Sequence, residues 1–414
     1  MQTRRQIIRG AGTLAAASLS SALGRAQPAD APAAVCARVV ELARANFIFP
    51  ARVEEALATH RHALEAAATP AEATRAIDDF LAALGLSHTA RYAPSSLDYY
   101  ENLDIYRPRG PRTLAAAFPP DGAVAYAGVG IATETFGSAS FVTAVYADTP
   151  AEAAGFLAGD EIVGLDGKPF RPNDPMSGPL GAERIVSVRR RKDAPLVEIS
   201  VKVASLRPSD VLLASVRKSA RVVESEGRRF AYLRMWAYHS EAIRNQVDRS
   251  LSQEPLASAD GLILDLRCRW GGARPDAVNT FLGKAPEFVT TSRDGRRRSS
   301  RLGRCGRPMV AIVNHRTRSG TEVLAHSLAA NGVPLVGSRT AGAVAGGQAF
   351  LLDDDSLLLL AVQTVEVDGA TLEGVGVEPP LASPYDLPYS AGADRQLEAA
   401  AALLRRMTGR TSAQ

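Results

Sequence analysis

The arrangement of apolar and polar residues divides the chain into regions of different secondary structure. Apolar residues recur at helical spacing around 35–43, 52–66 and 70–84. Short β-like runs follow between about 121 and 203. From about 207 strand and helix patterns alternate, which favours a mostly parallel sheet with crossover helices. The pattern predicts an α/β multidomain protein with an N-terminal helical region, a β-rich middle and an α/β core.

The stretch Met309–Glu322 combines a strand pattern with a helix pattern. Its first five residues are apolar and predict a buried strand, and a helical pattern with Glu322 in its first turn starts after Ser319. Ser319 would then lie at the C-terminal edge of the sheet, beside helix N–H groups that can stabilise an oxyanion. This position suits a nucleophilic serine. The alternative is that Ser319 only caps the helix.

Charge is unevenly distributed, and its location matters more than its total. The net charge is +4, and the first 26 residues hold Arg4, Arg5, Arg9 and Arg25 but no acid. The rest is balanced, so the basic pI does not indicate nucleic acid. A twin-arginine pattern before an uncharged stretch predicts an export signal at 1–26, with an amphipathic helix as the alternative. No apolar run is long enough to predict a membrane span in the mature protein, which we expect to be periplasmic or otherwise exported.

Metal and cofactor sites are not predicted. Cys36, Cys268 and Cys305 are too few and too scattered for a disulfide framework or a metal cluster, and the six histidines lack zinc-site spacing. The sequence neither predicts nor excludes a single disulfide between two of these cysteines.

The helical region, placed at 27–118, ends in a segment with candidate chemistry. Gly85 ends the third helical pattern, and Ser87-His88-Thr89 follows. A histidine between two hydroxyl groups suits a general base and equally suits a structural role.

The β-rich region contains an ordered series of turn and strand signals. Residues 148–170 are DTPAEAAGFLAGDEIVGLDGKPF. This series resembles a PDZ domain, which we place at 119–204. By that resemblance the carboxylate-binding loop consists of Gly128, Val129, Gly130 and Ile131, where backbone N–H groups can converge on the C-terminal carboxylate of a polypeptide.

The predicted core, 205–414, carries two further notable segments. A buried-strand pattern over Gly261–Leu266 runs into Gly271-Gly272, at the same sheet edge as Ser319. The run Arg293–Arg307 contains seven arginines and one acid. It predicts an exposed β-hairpin arm or, alternatively, a docking surface for anionic groups.

The order of these motifs resembles the C-terminal processing peptidase family, specifically its tricorn-core-like branch. The resemblance rests on Ser-His-Thr, the PDZ series, Asp-Leu-Arg-x-x-x-Gly-Gly, Asn-x-x-Thr-x-Ser-Gly-Thr-Glu and Leu-Glu-Gly-x-Gly-Val-x-Pro. It implies that Ser319 is the nucleophile and His88 the general base, and that Ser87 and Glu373 complete a tetrad. The implied oxyanion hole is formed by the N–H groups of Gly272 and Gly320. Glu366 and Glu378 are alternatives for the acid.

Two departures from the family pattern matter. Relatives with a Ser/Lys dyad carry a lysine after the nucleophile, but this chain has none after Lys284, and an arginine cannot act as a base. A catalytic role therefore requires His88. Arg318 stands where the family carries a small residue, and it either favours acidic or carboxylate-ended substrates or points to solvent.

These observations predict an exported serine endopeptidase that cleaves polypeptides through an acyl-enzyme at a Ser/His/Glu-type site. Its polypeptide substrates would be captured by their C-terminus through the PDZ domain. The alternatives are a non-catalytic ligand- or peptide-binding protein on the same scaffold and a PDZ-driven adaptor. The oligomeric state is not predicted.

Overall fold

The computed structural model describes residues 32–109, 123–282, 287–291, 297–301 and 306–410. The predicted export signal at 1–26 and Cys305 lie outside these residues. Within the described ranges, no helix combines the length and apolar character needed to cross a bilayer.

The N-terminal region begins with helices, as the apolar spacing predicts. Its elements in order are helices α1 (Pro32–Asn46), α2 (Pro50–Ala66) and α3 (Pro70–Ala83), strand β1 (Ala90–Tyr92) and helix α4 (Leu97–Tyr106). Thr69 and Glu72 start α3 with a capping box, in which each side chain accepts a hydrogen bond from the other's backbone N–H. The first three helices share a buried apolar core. Strand β1 was not predicted, because three residues are too few to show a period of two.

The middle region is a small antiparallel sheet. Its elements are strands β2 (Tyr126–Gly128), β3 (Ile131–Phe136) and β4 (Ala139–Val145), helix α5 (Pro150–Ala153), and strands β5 (Glu161–Leu165), β6 (Lys168–Pro169), β7 (Glu183–Arg189), β8 (Val197–Lys202) and β9 (Ala204–Leu206). The main sheet has the order β3-β4-β5-β7-β8, and β2 pairs with β9. In the described part of the chain, β3 is therefore an edge strand of this sheet.

The core contains a largely parallel sheet, which confirms the predicted fold class. Its elements are α6 (Pro208–Ser219), β10 (Arg221–Ser225), β11 (Arg228–Arg234), α7 (Glu241–Ser252), β12 (Gly261–Asp265), α8 (Val278–Leu282), β13 (Glu287–Thr291), β14 (Arg297–Arg301), β15 (Met309–Val313), α9 (Gly320–Ala330), β16 (Leu335–Gly337), β17 (Gly346–Leu351), β18 (Leu357–Gln363), β19 (Glu366–Val367), β20 (Ala370–Thr371), β21 (Leu381–Ala382) and α10 (Arg395–Arg410). The sheet order is β10-β11-β12-β15-β16-β21, and only the β10–β11 pair in it is antiparallel.

Both faces of the parallel sheet are covered. Apolar side chains from α7 and α9 pack on one face, and those of α10 pack on the other, where Leu404, Ile263 and Val310 belong to one buried cluster. A sheet buried on both faces explains why its strands are almost uniformly apolar.

A second, three-stranded sheet connects the N-terminal region to the core. Strand β18 pairs antiparallel with β17 on one side and with β1 on the other, where Ala90 lies opposite Leu359. The buried face of β18 also joins the core of the N-terminal helices through Leu358 and Leu360. This pairing holds the segment just before β1 against the core.

The arginine-rich run falls partly on a strand pair. Strands β13 and β14 pair antiparallel, with Glu287 opposite Arg301. Residues 292–296 and 302–305 lie outside the described residues. The pairing of these strands agrees with the predicted β-hairpin, and the exposure of the arm and its docking role stay predictions.

Candidate active site

Ser319 lies at the turn between β15 and α9, as the sequence pattern predicts. All five residues of β15 are buried, and Thr317 donates a hydrogen bond of 3.0 Å to the carbonyl oxygen of Leu266, the residue that follows β12. Ser319 has φ = 57°, a left-handed conformation that costs a non-glycine residue about 1–3 kcal/mol. Such a strained strand-to-helix turn projects a serine from the end of a sheet.

Glu322 anchors this turn to a second loop. Its carboxylate is fully buried and accepts hydrogen bonds from Gly342 N–H and Ala343 N–H, both at 2.7 Å, and from the Thr340 hydroxyl at 2.5 Å. Ser319 N–H donates to the Ala343 carbonyl oxygen at 2.8 Å. Burial raises the pKa of Glu322, and these hydrogen bonds oppose that rise. The sequence marked Glu322 only as a first-turn acid, and its contact with the 340–345 loop was missed.

Glu373 holds the other end of the 340–345 loop and also contacts the N-terminal region. Its Oε2 accepts from Val344 N–H at 2.8 Å and Ala345 N–H at 2.9 Å, and its Oε1 accepts from Ser87 N–H at 2.7 Å. Burial would raise the pKa of Glu373, but the backbone N–H donors outweigh it, so the pKa is lowered. The carboxylate is therefore ionised at neutral pH.

Ser87 joins Glu373 to His88. The Ser87 hydroxyl donates to Glu373 Oε2 at 2.9 Å, and its oxygen lies 2.9 Å from His88 Nδ1. Because a hydroxyl has one proton, which Ser87 gives to the carboxylate, Ser87 must accept from His88 Nδ1–H. A neutral His88 then carries its lone pair on Nε2, the form a general base needs.

His88 is held in a buried environment that favours the neutral imidazole. Only 8% of the residue is exposed. Burial, with a further contribution from the positive charge of Arg318, lowers the pKa of His88 to about 4, although Glu373 opposes the shift.

The predicted rivals of Glu373 lie elsewhere. Glu378 pairs with Arg339 at 2.6 Å, and Glu366 is exposed in β19. Of these three acids, Glu373 is the one hydrogen-bonded to Ser87.

The glycine pair after β12 packs directly on the serine turn. A Cβ on Gly271 would lie 2.8 Å from Ser319 Cβ, and one on Gly320 would lie 2.2 Å from the Ala273 carbonyl oxygen, so both contacts exclude larger residues. Gly320 is the first residue of α9, and its N–H has no acceptor within the helix. The structure thus places Gly272 and Gly320 on segments that touch each other beside Ser319.

A buried ion cluster holds the segment that leads to these glycines. The Arg267 guanidinium lies 2.6 Å from both Asp265 and Asp394. Burial would raise the pKa of Asp265, but the charge of Arg267 outweighs it and lowers the pKa.

The predicted carboxylate-binding loop connects β2 to β3. Gly128 ends β2, and Ile131 starts β3. Val129 is fully buried, and its N–H donates to the Pro175 carbonyl oxygen at 3.3 Å. One of the predicted donors is therefore already used inside the protein.

Metal ligation has no candidate in the part of the chain that the structure describes. No group of three or more His, Cys, Asp or Glu side chains is placed there to hold an ion. Cys36 and Cys268 are buried free thiols.

Comparison with known proteins shows which families two segments of the chain match. Residues 229–382 match the model described as Peptidase family S41, and residues 141–177 match a PDZ domain model. The chain contains a peptidase family S41 domain and a PDZ domain. The S41 match includes Ser319 and Glu373 and begins after Ser87 and His88. The domain boundaries at 27–118, 119–204 and 205–414 stay predictions.

Two curated relatives match part of this chain. The carboxyl-terminal-processing protease of a Picosynechococcus species is 29% identical over 231 residues, 53% of this chain and 54% of the relative. The carboxy-terminal processing protease CtpA of Bacillus subtilis is 23% identical over 276 residues, 64% of this chain and 58% of the relative. This chain therefore spans between half and two thirds of their length.

Two solved structures share the fold. The photosystem II D1 C-terminal processing protease matches with a TM-score of 0.51 and 19% identity over 90% of this chain and 97% of that chain. The tricorn protease matches with a TM-score of 0.53 and 18% identity over 91% of this chain and 37% of that chain. At these identities the likeness shows the fold alone.

Proposed function

We propose that this S41 protein is an exported serine endopeptidase that cleaves polypeptides through an acyl-enzyme on Ser319. The observation that carries the proposal is the hydrogen-bonded series Glu373–Ser87–His88, which leaves His88 Nε2 as the basic nitrogen. The strained turn at Ser319 supports the same reading.

The proposed reaction has two acyl-transfer steps. Ser319 Oγ attacks the scissile carbonyl carbon while His88 Nε2 takes the hydroxyl proton, and the N–H groups of Gly272 and Gly320 stabilise the oxyanion. The carbon–nitrogen bond then breaks, and His88 returns the proton to the leaving amine. Water hydrolyses the ester in the second step with His88 again as base. Ser87 and Glu373 hold the imidazole in the required tautomer.

We further propose that the PDZ domain binds the C-terminal segment of the substrate along β3. Among the residues that the structure describes, β3 is the edge strand of its sheet and has one unpaired side, to which an extended polypeptide can add. The carboxylate would reach the N–H groups of Gly130 and Ile131, because that of Val129 is hydrogen-bonded to Pro175.

Labelling with a fluorophosphonate tests the assignment of the nucleophile. The mature protein should form a covalent adduct that peptide mass spectrometry assigns to Ser319, and it should hydrolyse unstructured polypeptides. A His88→Ala variant should label far more slowly, because the hydroxyl then has no base. Peptide binding without labelling or cleavage in the wild type would favour the non-catalytic alternative.

The pH dependence of kcat/KM should carry the signature of His88. General-base catalysis requires the neutral imidazole, so activity is lost as pH falls through the pKa of about 4 rather than through the usual value near 6.5. The acidic limb should therefore have its midpoint near pH 4. A midpoint near 6.5 would contradict a buried, neutral His88.

Circular dichroism at each pH provides the control. The folded-state pKa of His88 lies below its unfolded value, so the free energy of unfolding decreases as pH falls from about 6.5 to about 4. Only pH values at which the protein stays folded enter the fit.

A further inference from the structure

We propose that the cavity beside Arg318 is a subsite for a carboxylate of the substrate, next to the scissile bond. This inference rests on the proposed peptidase function and adds a substrate class to it. The cavity has a volume of about 280 Å³ and lies between the PDZ edge strand β3 and the loop that precedes Ser319. Residues 133–135 form one wall, and Arg269, His315, Arg316 and Arg318 form the other.

Three of the four core residues on that wall already have acidic partners. Arg316 Nη1 donates to Glu134 at 2.7 Å, and His315 Nε2 lies 2.8 Å from the same carboxylate. Arg269 pairs with Asp98. Burial would raise the pKa of Glu134, but His315 and Arg316 outweigh it and keep the pKa low. Glu134 is therefore an ionised group whose charge is already matched.

Arg318 is the cation on this wall without such a partner. In the ranges that the structure describes, its guanidinium forms no ion pair and no hydrogen bond, although the residue is half-buried. A partly desolvated charge without a counterion is unfavourable, and an anionic ligand would remove that cost. An arginine also offers paired N–H donors that match a carboxylate.

The position of Arg318 connects this cavity to the proposed chemistry. Arg318 directly precedes Ser319, and its carbonyl oxygen packs against Gly271. Its charge also acts on His88 and lowers the pKa of that imidazole. A substrate carboxylate bound to Arg318 would offset this charge, and the neighbouring imidazole would become a stronger base.

Matched peptide substrates test the subsite. Each pair carries Glu or Gln at one position, and the position is moved along both sides of the scissile bond. The wild type should favour Glu at one position by about 10- to 100-fold in kcat/KM, the range of a charge-assisted hydrogen bond. Arg318→Gln should remove the preference, and Arg318→Glu should replace it with a preference for Lys. Arg61→Gln, an exposed change on α2, is the matched control and should keep the wild-type preference.

Two further measurements identify the source of the carboxylate and the effect of Arg318 on His88. Amidation of the peptide C-terminus should leave the preference for Glu intact, which identifies the bound group as a side-chain carboxylate and not the carboxylate of the chain terminus. In Arg318→Gln the acidic limb of kcat/KM should move to higher pH, because the cation that lowers the pKa of His88 is gone. A preference for Glu that survives Arg318→Gln, or its absence at every position in the wild type, overturns the subsite.

A binding measurement separates this proposal from the proposed function. With Ser319→Ala as background, the Glu peptide should bind at least about tenfold more tightly than the Gln peptide, and Arg318→Gln should remove the difference. Equal binding of the two peptides refutes the subsite even if hydrolysis is observed. Absence of hydrolysis and labelling in the wild type refutes the peptidase function without deciding this test.

Discussion

Replacing Ser319 with alanine should lower kcat for peptide hydrolysis by about 10⁵- to 10⁶-fold, because the hydroxyl that we propose forms the acyl-enzyme ester is removed. His88, Gly272 and Gly320 cannot substitute for it, since none supplies a nucleophile to the carbonyl carbon. The measurement is kcat with an internally quenched peptide, together with fluorophosphonate labelling. More than about 1% residual activity would show that another group performs the chemistry.

The backbone of Ser319 provides a second readout that distinguishes chemistry from folding. Ser319→Ala keeps φ = 57° strained and should leave the free energy of unfolding within about 0.5 kcal/mol of the wild type. Ser319→Gly should be equally inactive but more stable by about 1 kcal/mol, because glycine accepts positive φ without strain. An inactive variant that is also more stable would indicate that strain is maintained at this turn for function.

Replacing Glu373 with glutamine should lower kcat/KM by about 10²- to 10³-fold and the free energy of unfolding by about 2–4 kcal/mol. The two carboxylate oxygens accept four hydrogen bonds, from Ser87 N–H, the Ser87 hydroxyl, Val344 N–H and Ala345 N–H. An amide has one acceptor oxygen, so its NH₂ group would face at least one of these donors. Urea denaturation and steady-state kinetics measure the two effects.

Glu378→Gln is the matched control for this change. Glu378 is an exposed acid paired with Arg339, and its replacement should change stability by less than about 1 kcal/mol and leave kcat/KM nearly unchanged. In Glu373→Gln the acidic limb should also move to lower pH, because the charge of Glu373 raises the pKa of His88. A loss of stability with unchanged kcat and an unchanged acidic limb would make Glu373 a purely structural residue.

The residues of the candidate site differ in how far the sequence could identify them. Ser319 was identifiable because five apolar β-prone residues and a helical pattern flank it directly. Ser87 and His88 have no such context, and only the order of motifs along the chain singled them out. Glu373 competed with Glu366 and Glu378 in the sequence, since any of the three could follow a short strand or turn.

The contacts of Glu322 illustrate a limit of local patterns. An acid three residues after a serine has capping-box spacing, and the sequence indicates no more than a helix start. Its buried carboxylate also binds Thr340, Gly342 and Ala343, which lie about twenty residues downstream. The position of that loop depends on β16 and on Glu373. The residues around Glu322 do not predict either of these dependences.

The sequence by itself determined the class of the fold, the helix and strand periods that build it, and the strand-to-helix turn that carries Ser319. These features follow from residues that are neighbours in the chain, because the spacing of apolar residues and the preferences of turn residues are properties of short segments. Only the tertiary structure decided that β1 pairs with β18, that Glu373 is the acid bound to Ser87, and that Arg318 lines a cavity facing β3. Each of these depends on packing between segments tens to hundreds of residues apart. The sequence around a polar side chain does not show which distant residue that side chain contacts in the folded protein.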